Sequence, residues 1–259
     1  MSKKELLFID TETTDVQSKD LLQIAFITEN PDIWMNIYIK PKQEISFGSM
    51  AVHNITPEMV EKCKYFEDAT VSEEGKDLES NTSSLKEYLE FLSKKYIWVA
   101  HNMAFDSEAL EKKGVKVEDS ICTLKVARNL LTTDDGRDLE SYKLQYLRYY
   151  LGLYKSEDRE FREAHNALSD VYFLKNLYHY LVQNSKLTVE HMQLITKQPQ
   201  IIREMSFGKY MGKTFEEIER EDREYLEWLV KSMYDKPDLQ WNAQRALDDG
   251  MRARTQSLF

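Results

Sequence analysis

Glu5-Leu6-Leu7-Phe8-Ile9-Asp10-Thr11-Glu12-Thr13-Thr14 passes from an unbroken apolar run to two carboxylates two residues apart. The apolar half reads as a buried strand. Side chains two apart on a strand point to the same side, so Asp10 and Glu12 project together from the strand's end. Carboxylates held side by side repel unless a cation neutralises them, and hard oxygen donors suit Mg²⁺ or Mn²⁺. An acidic loop after a strand is the alternative for this pair taken alone.

Working outward, Leu21–Thr28 and Asn36–Lys40 read as further strands, and their short connections favour an antiparallel meander. Cys63–Ser84 is polar and acidic and reads as a loop-rich excursion. Leu85–Lys95 has apolar residues at helical spacing, and Tyr96–Ala100 is a buried strand. The stretch from His101 reads as a loop entering a helix that stops at Gly114. Tyr142–Leu151 and Ala167–Gln183 carry helical spacing again. Three strands followed by alternating helix and strand predict an α/β fold, a mixed sheet flanked by helices. The apolar pattern weakens over 184–200, where Pro199 interrupts it. Residues 1–183 are therefore expected to form the main domain, 184–200 a linker, and 201–259 a small, mostly helical module.

With 42% hydrophobic and 31% charged residues, the chain can bury a core and solvate its surface. A net charge of −10 disfavours a passive nucleic-acid coat. It does not disfavour an enzyme that meets phosphate through bound cations, because metals invert the charge locally. Cys63 and Cys122 form no CxxC pair, and Cys122 reads as a small core residue. No stretch reaches membrane-spanning length, and the expected setting is soluble and cytoplasmic.

Two further acidic motifs follow. In VAHNMAFD, Asp106 sits after an apolar strand at the start of a helix, where it reads equally as a metal ligand or as a helix N-cap. In HNALSD, His165 precedes Asp170 with four residues between, and both can border one cleft if His165 lies at or before the first turn. A lone histidine there is also compatible with a structural role.

The ordered set Asp-x-Glu, HNxxFD and His-x4-Asp resembles the DEDD exonuclease superfamily, specifically its DEDDh branch. The tyrosine branch carries its tyrosine where this chain has Asn166. The resemblance runs from about Glu5 to Gln183 and takes in VHNIT (52–56) and YKLQYLRYYLGL (142–153). It implies a ribonuclease H-like mixed five-stranded sheet. It also implies two divalent cations, Mg²⁺ or Mn²⁺, held by Asp10, Glu12, Asp106 and Asp170, with His165 as general base. The reaction would release nucleoside 5′-monophosphates from 3′ ends of DNA, single-stranded or frayed, in repair or end processing. An exoribonuclease on the same scaffold and a catalytically silent end-binding module are the competing readings. Thr13, His101, Asn102 and Phe105 are placed around the terminal nucleotide, Phe105 with an equal claim to the core. Asp15 and Asn54 stand where the family usually has glycine, which alters the expected loop shape but not the ligand set.

MSFGKYMGKTFEEI followed by DREYLEWLV resembles the C-terminal module of exodeoxyribonuclease X-like proteins. Two short amphipathic helices are expected there. Lys209, Tyr210 and Lys213 can contact DNA phosphate or close a structural turn, and the spacing does not make a phosphate-binding loop of the GKS/GKT type. The final TQSLF is similar to peptides that dock on the bacterial sliding clamp through a Leu–Phe pair, here Leu258 and Phe259. A frayed tail is the alternative.

Overall fold

A computed structural model describes residues 4–30, 33–72, 82–157 and 167–256. The chain divides into two compact units, Met1–Leu124 with Lys143–Gln193, and Lys125–Tyr142 with Leu194–Phe259.

The first unit is built on a five-stranded mixed sheet. Its strands are β1 (Glu5–Thr13), β2 (Leu21–Thr28) and β3 (Trp34–Tyr38), then, after the short β4 (Thr70–Ser72) and β5 (Thr82–Ser84), β6 (Tyr96–Ala100) and β7 (Ser120–Cys122). The sheet order is β3-β2-β1-β6-β7. β1 and β2 pair antiparallel, with Asp10 opposite Ala25, and β2 pairs antiparallel with β3. The expected meander is therefore present. β6 returns parallel to β1 and β7 parallel to β6. β4 and β5 form a separate two-stranded ladder, so the stretch read as loop-rich contains a paired segment among its described residues.

The helices of this unit begin with α1 (Phe47–His53), α2 (Pro57–Val60), α3 (Leu85–Lys95) and α4 (Met103–Glu111). α5 (Thr123–Leu130) leads into the second unit, α6 (Leu144–Tyr150) and α7 (Ala167–Gln183) return to the first, and α8 (Val189–Lys197) carries the chain into the second again. Alternation along β1 sorts its side chains into two layers. Leu7 and Ile9 join one core cluster with Leu85, Leu89, Leu92, Ala109 and Leu110 from α3 and α4. Phe8 faces the other way, edge-on to Tyr178 of α7 at 5.4 Å. The same parity puts Asp10 and Glu12 on the α7 side and Thr11 on the α4 side. Cys122 is buried in β7, as its apolar run implies.

The second unit has its own apolar core, built from Met205, Phe215, Ile218, Leu226, Leu229 and neighbours. The two expected helices are α9 (Phe215–Glu221) and α10 (Arg223–Ser232), and a third, α11 (Pro237–Gln256), follows them. α11 buries Leu239, Ala243, Ala246 and Leu247, a narrow stripe whose alanines give little apolar signal. It passes close to α9 at Gly250, where a Cβ would collide with the Glu219 carboxylate. Residues 125–142 belong to this unit, tied by Arg137 to Glu204 at 2.6 Å and by the Arg203 backbone N–H to Asp138 at 2.9 Å. The sequence pattern alone leaves that stretch with the first domain. Among the described residues no helix is long and apolar enough to cross a membrane.

Candidate metal centre

Asp10 and Glu12 leave β1 on the face covered by α7, and Asp170 comes from the first turn of α7. One ligand oxygen from each of the three lies within 4.8 Å of the others. Asp106 reaches the group from the opposite layer. It sits in the first turn of α4, whose N-cap is Asn102 in the left-handed region at φ 77°. The cap is thus supplied by another residue, and the N-cap reading of Asp106 falls away. Instead Asp106 Oδ1 accepts a 2.8 Å hydrogen bond from the Thr11 hydroxyl, the side chain between Asp10 and Glu12. One strand end thereby orients three carboxylates, two by projecting them and one by holding it.

The electrostatics match crowded acids. Burial first, then the neighbouring Asp106, Glu12 and Asp170 carboxylates, raise the Asp10 pKa well above the ordinary carboxylate range. Burial, with Asp170 and Asp106, pushes Glu12 up to about 8. Asp106 is raised by burial to about 7, with the Thr11 hydrogen bonds and the Lys19 charge opposing the rise. Such values mark a site short of positive charge. An all-oxygen donor set of close, mutually repelling carboxylates fits a hard divalent cation, and these residues fit the group that the motif implies.

Asp170 is held from behind by a chain of side chains. Gln145 on α6 donates Nε2–H to Asp170 Oδ1 at 2.6 Å. Arg148, one turn on, donates to Gln145 Oε1 at 3.0 Å. Arginine has only donors, so this contact fixes the amide with its own N–H groups toward Asp170. Arg148 is fixed in turn by Glu157, which takes two 2.9 Å hydrogen bonds from Nε and a third from Nη2 on the same edge of the guanidinium. Both partners are almost fully buried, at 3% and 2% side-chain exposure. The guanidinium also lies 3.8 Å from the ring centre of Phe173, on the helix that carries Asp170. The sequence marks this stretch as a helix within the family resemblance and gives Gln145 and Arg148 no role. The available signal was Arg148 itself, a charge inside a helical apolar pattern.

The expected nucleotide contacts are placed as follows. Thr13 is buried, and its hydroxyl donates to the Asp15 carbonyl at 3.0 Å. His101 Nδ1 shares a 3.0 Å hydrogen bond with the Thr123 hydroxyl. Asn102 is exposed, and Phe105 is half-buried with the Lys19 ammonium 4.8 Å above its ring. In the second unit, Lys209 and the Tyr210 hydroxyl both donate to Asp222 Oδ2, at 2.8 and 2.6 Å, and Lys213 pairs with Glu221. His165 and the Leu258–Phe259 pair lie outside the described residues.

A mixed sheet of this order, with acidic side chains gathered at the end of its central strand, is the arrangement of an exonuclease domain. The exonuclease (RNase_T) family model matches residues 7–178, and the chain belongs to that family. The exodeoxyribonuclease X-like C-terminal model matches residues 205–232. The chain is 30% identical over 237 residues to exodeoxyribonuclease 10 of Escherichia coli (strain K12), covering 88% of this chain and 91% of that one. It is 26% identical over 202 residues to DNA polymerase III subunit epsilon of Buchnera aphidicola subsp. Acyrthosiphon pisum (strain APS), covering 69% and 73%. Among solved structures, exonuclease X in complex with 5′ overhanging duplex DNA matches with a TM-score of 0.51 and 26% identity. That match covers 74% of this chain and 99% of the other.

Proposed function

We propose that this chain is a 3′→5′ exodeoxyribonuclease that hydrolyses terminal phosphodiesters with two divalent cations, Mg²⁺ or Mn²⁺. The observation that carries the reading is the convergence of Asp10, Glu12 and Asp170 within 4.8 Å, with Asp106 near enough to raise the pKa of the first two. The likeness to exodeoxyribonuclease 10 across most of both chains supports DNA as substrate.

Asp10, Glu12, Asp106 and Asp170 would hold the cations, which supply the positive charge that lets the carboxylates ionise together and that offsets charge building on the phosphoryl oxygens. Thr11 keeps Asp106 aimed inward. Gln145 keeps Asp170 aimed inward. His165 is assigned the proton of the attacking water, a task suited to a side chain that titrates near neutrality. Thr13, His101, Asn102 and Phe105 are assigned to the terminal nucleotide. Lys209, Tyr210 and Lys213 of the second unit are assigned to DNA contact, where exposed ion pairs exchange for phosphate at little cost.

The test is a panel of 5′-labelled single-stranded DNA, duplex DNA, mismatched ends and RNA, run with Mg²⁺, with Mn²⁺ and with EDTA. A ladder shortening from the 3′ end of DNA, dependent on metal and weak on RNA, is expected. RNA digestion at a comparable rate would overturn the substrate, and absence of mononucleotide release from every end would overturn the enzyme.

Gln145→Leu isolates the positioning chain. It keeps all four carboxylates but removes the donor to Asp170. Such supporting contacts are worth about 10–100-fold in metal affinity or activity. Calorimetric Mn²⁺ titration should show weakening of that order, while thermal unfolding in EDTA stays near the parent value. Mn²⁺ affinity within twofold of the parent would rule out the role.

A further inference from the structure

The first unit contains a cavity of about 200 Å³ lined by Lys19, Lys42, Lys112 and Lys113, with Asp20 the one carboxylate among its lining residues. In a chain of net charge −10, this is a local inversion of sign. Asp20 and two of the lysines build the walls. Asp20 accepts from the Lys113 ammonium at 2.6 Å and from the backbone N–H groups of Lys42 and Gln43. Lys112 donates to the carbonyls of Gln17 and Ser18 at 2.8 and 2.9 Å, which holds the loop after β1 against the end of α4.

Lys19 and Lys42 are differently placed. They pair with Glu108 and Glu67; the Lys42 pair is exposed on both sides, whereas the Lys19 side chain is 11% exposed. The exposed Lys42–Glu67 pair contributes about 0–1 kcal/mol, so an incoming anion can take over the Lys42 ammonium at small cost, while the more buried Lys19 adds its charge from the wall. Lys19 also has φ 50°, a left-handed conformation in which glycine or asparagine is cheaper. The loop accepts that conformation with a lysine whose ammonium lies over Phe105, the neighbour of Asp106. The cavity follows α4 away from the carboxylates. Lys112 is six residues past Asp106, about 9 Å along a helix axis.

We propose that this cavity is a second anion site that receives a non-scissile backbone phosphate of the nucleic-acid strand, contacted by Lys19 and Lys42. The proposal rests on the exonuclease reading above and adds to it a phosphate subsite beyond the reacting bond.

The experiment compares a sixteen-residue thymidine oligonucleotide with the p-nitrophenyl ester of thymidine 5′-monophosphate, which has a single phosphate and cannot span both sites. Lys42→Glu and Lys42→Gln suit the test because the Lys42 side chain is 56% exposed. The ratio of KM for the oligonucleotide to KM for the ester should rise about tenfold in Lys42→Glu and less in Lys42→Gln, by loss of one charged phosphate contact. The slope of log KM against log salt for the oligonucleotide should flatten by about 0.7. An unchanged ratio, or equal changes with both substrates, would overturn the subsite. A parent protein inactive on both substrates would instead overturn the exonuclease reading beneath it.

Discussion

Asp10→Asn is expected to lower the exonuclease rate by roughly 10⁴-fold or more, because it removes a central charge from the set that holds the cations. The same substitution should leave the metal-free protein more stable at pH 8. Glu12 is pushed up to about 8 and Asp106 to about 7, whereas unfolded glutamate and aspartate titrate near 4. The folded state therefore binds protons that the unfolded chain releases between about pH 4 and pH 8. Without metal, stability should fall as pH rises through that window, by on the order of a few kcal/mol. Asparagine in place of Asp10 removes one repelling charge and flattens the dependence. Divalent cation should raise the melting temperature of the parent at pH 8 and leave that of Asp10→Asn nearly unmoved. Thermal unfolding from pH 5 to pH 9, with EDTA and with Mn²⁺, reads all three effects. A parent equally stable across that range in EDTA would refute the electrostatic account of the site, and an active Asp10→Asn would refute the ligand assignment.

The division between what was legible in sequence and what was not follows the range of each interaction. Period-two alternation places Asp10 and Glu12 on one side of β1, and the strand bears this out through Phe8 and Tyr178. The order of the motifs, not any single residue, indicated the fold. Asp106 illustrates the limit. Local rules could not separate ligand from cap; the cap position falls to Asn102 in the left-handed region, and the hydroxyl that orients Asp106 lies 95 residues away in the chain. The positioning chain behind Asp170 was illegible for the same reason. Gln145 and Arg148 acquire meaning only when α6 lies against α7, a tertiary fact with no periodic signature. α11 escaped because alanine stripes register weakly against a charged background.

Arg148→Leu is expected to be the most damaging single substitution for stability. The parent pair is almost wholly buried, and Arg148 donates three hydrogen bonds to the Glu157 carboxylate. Removing the guanidinium leaves a carboxylate without its counter-charge in a low-dielectric interior, and breaking one partner of such a pair costs about 3–5 kcal/mol. It also removes the contact with Phe173 and the lock on Gln145. Two consequences can be separated with the double variant Arg148→Leu/Glu157→Leu. Replacing a buried ion pair by apolar groups of similar volume is often neutral or better, so the double variant should recover most of the lost stability in urea unfolding. It should not recover Asp170 alignment, because Gln145 is then free to turn its carbonyl toward the carboxylate and repel it. The expected pattern is a stable protein with weakened Mn²⁺ binding, resembling Gln145→Leu. Full recovery of metal affinity in the double variant would show that Arg148 acts on stability alone, and a single variant within 1 kcal/mol of the parent would show that the pair is not buried as the structure has it.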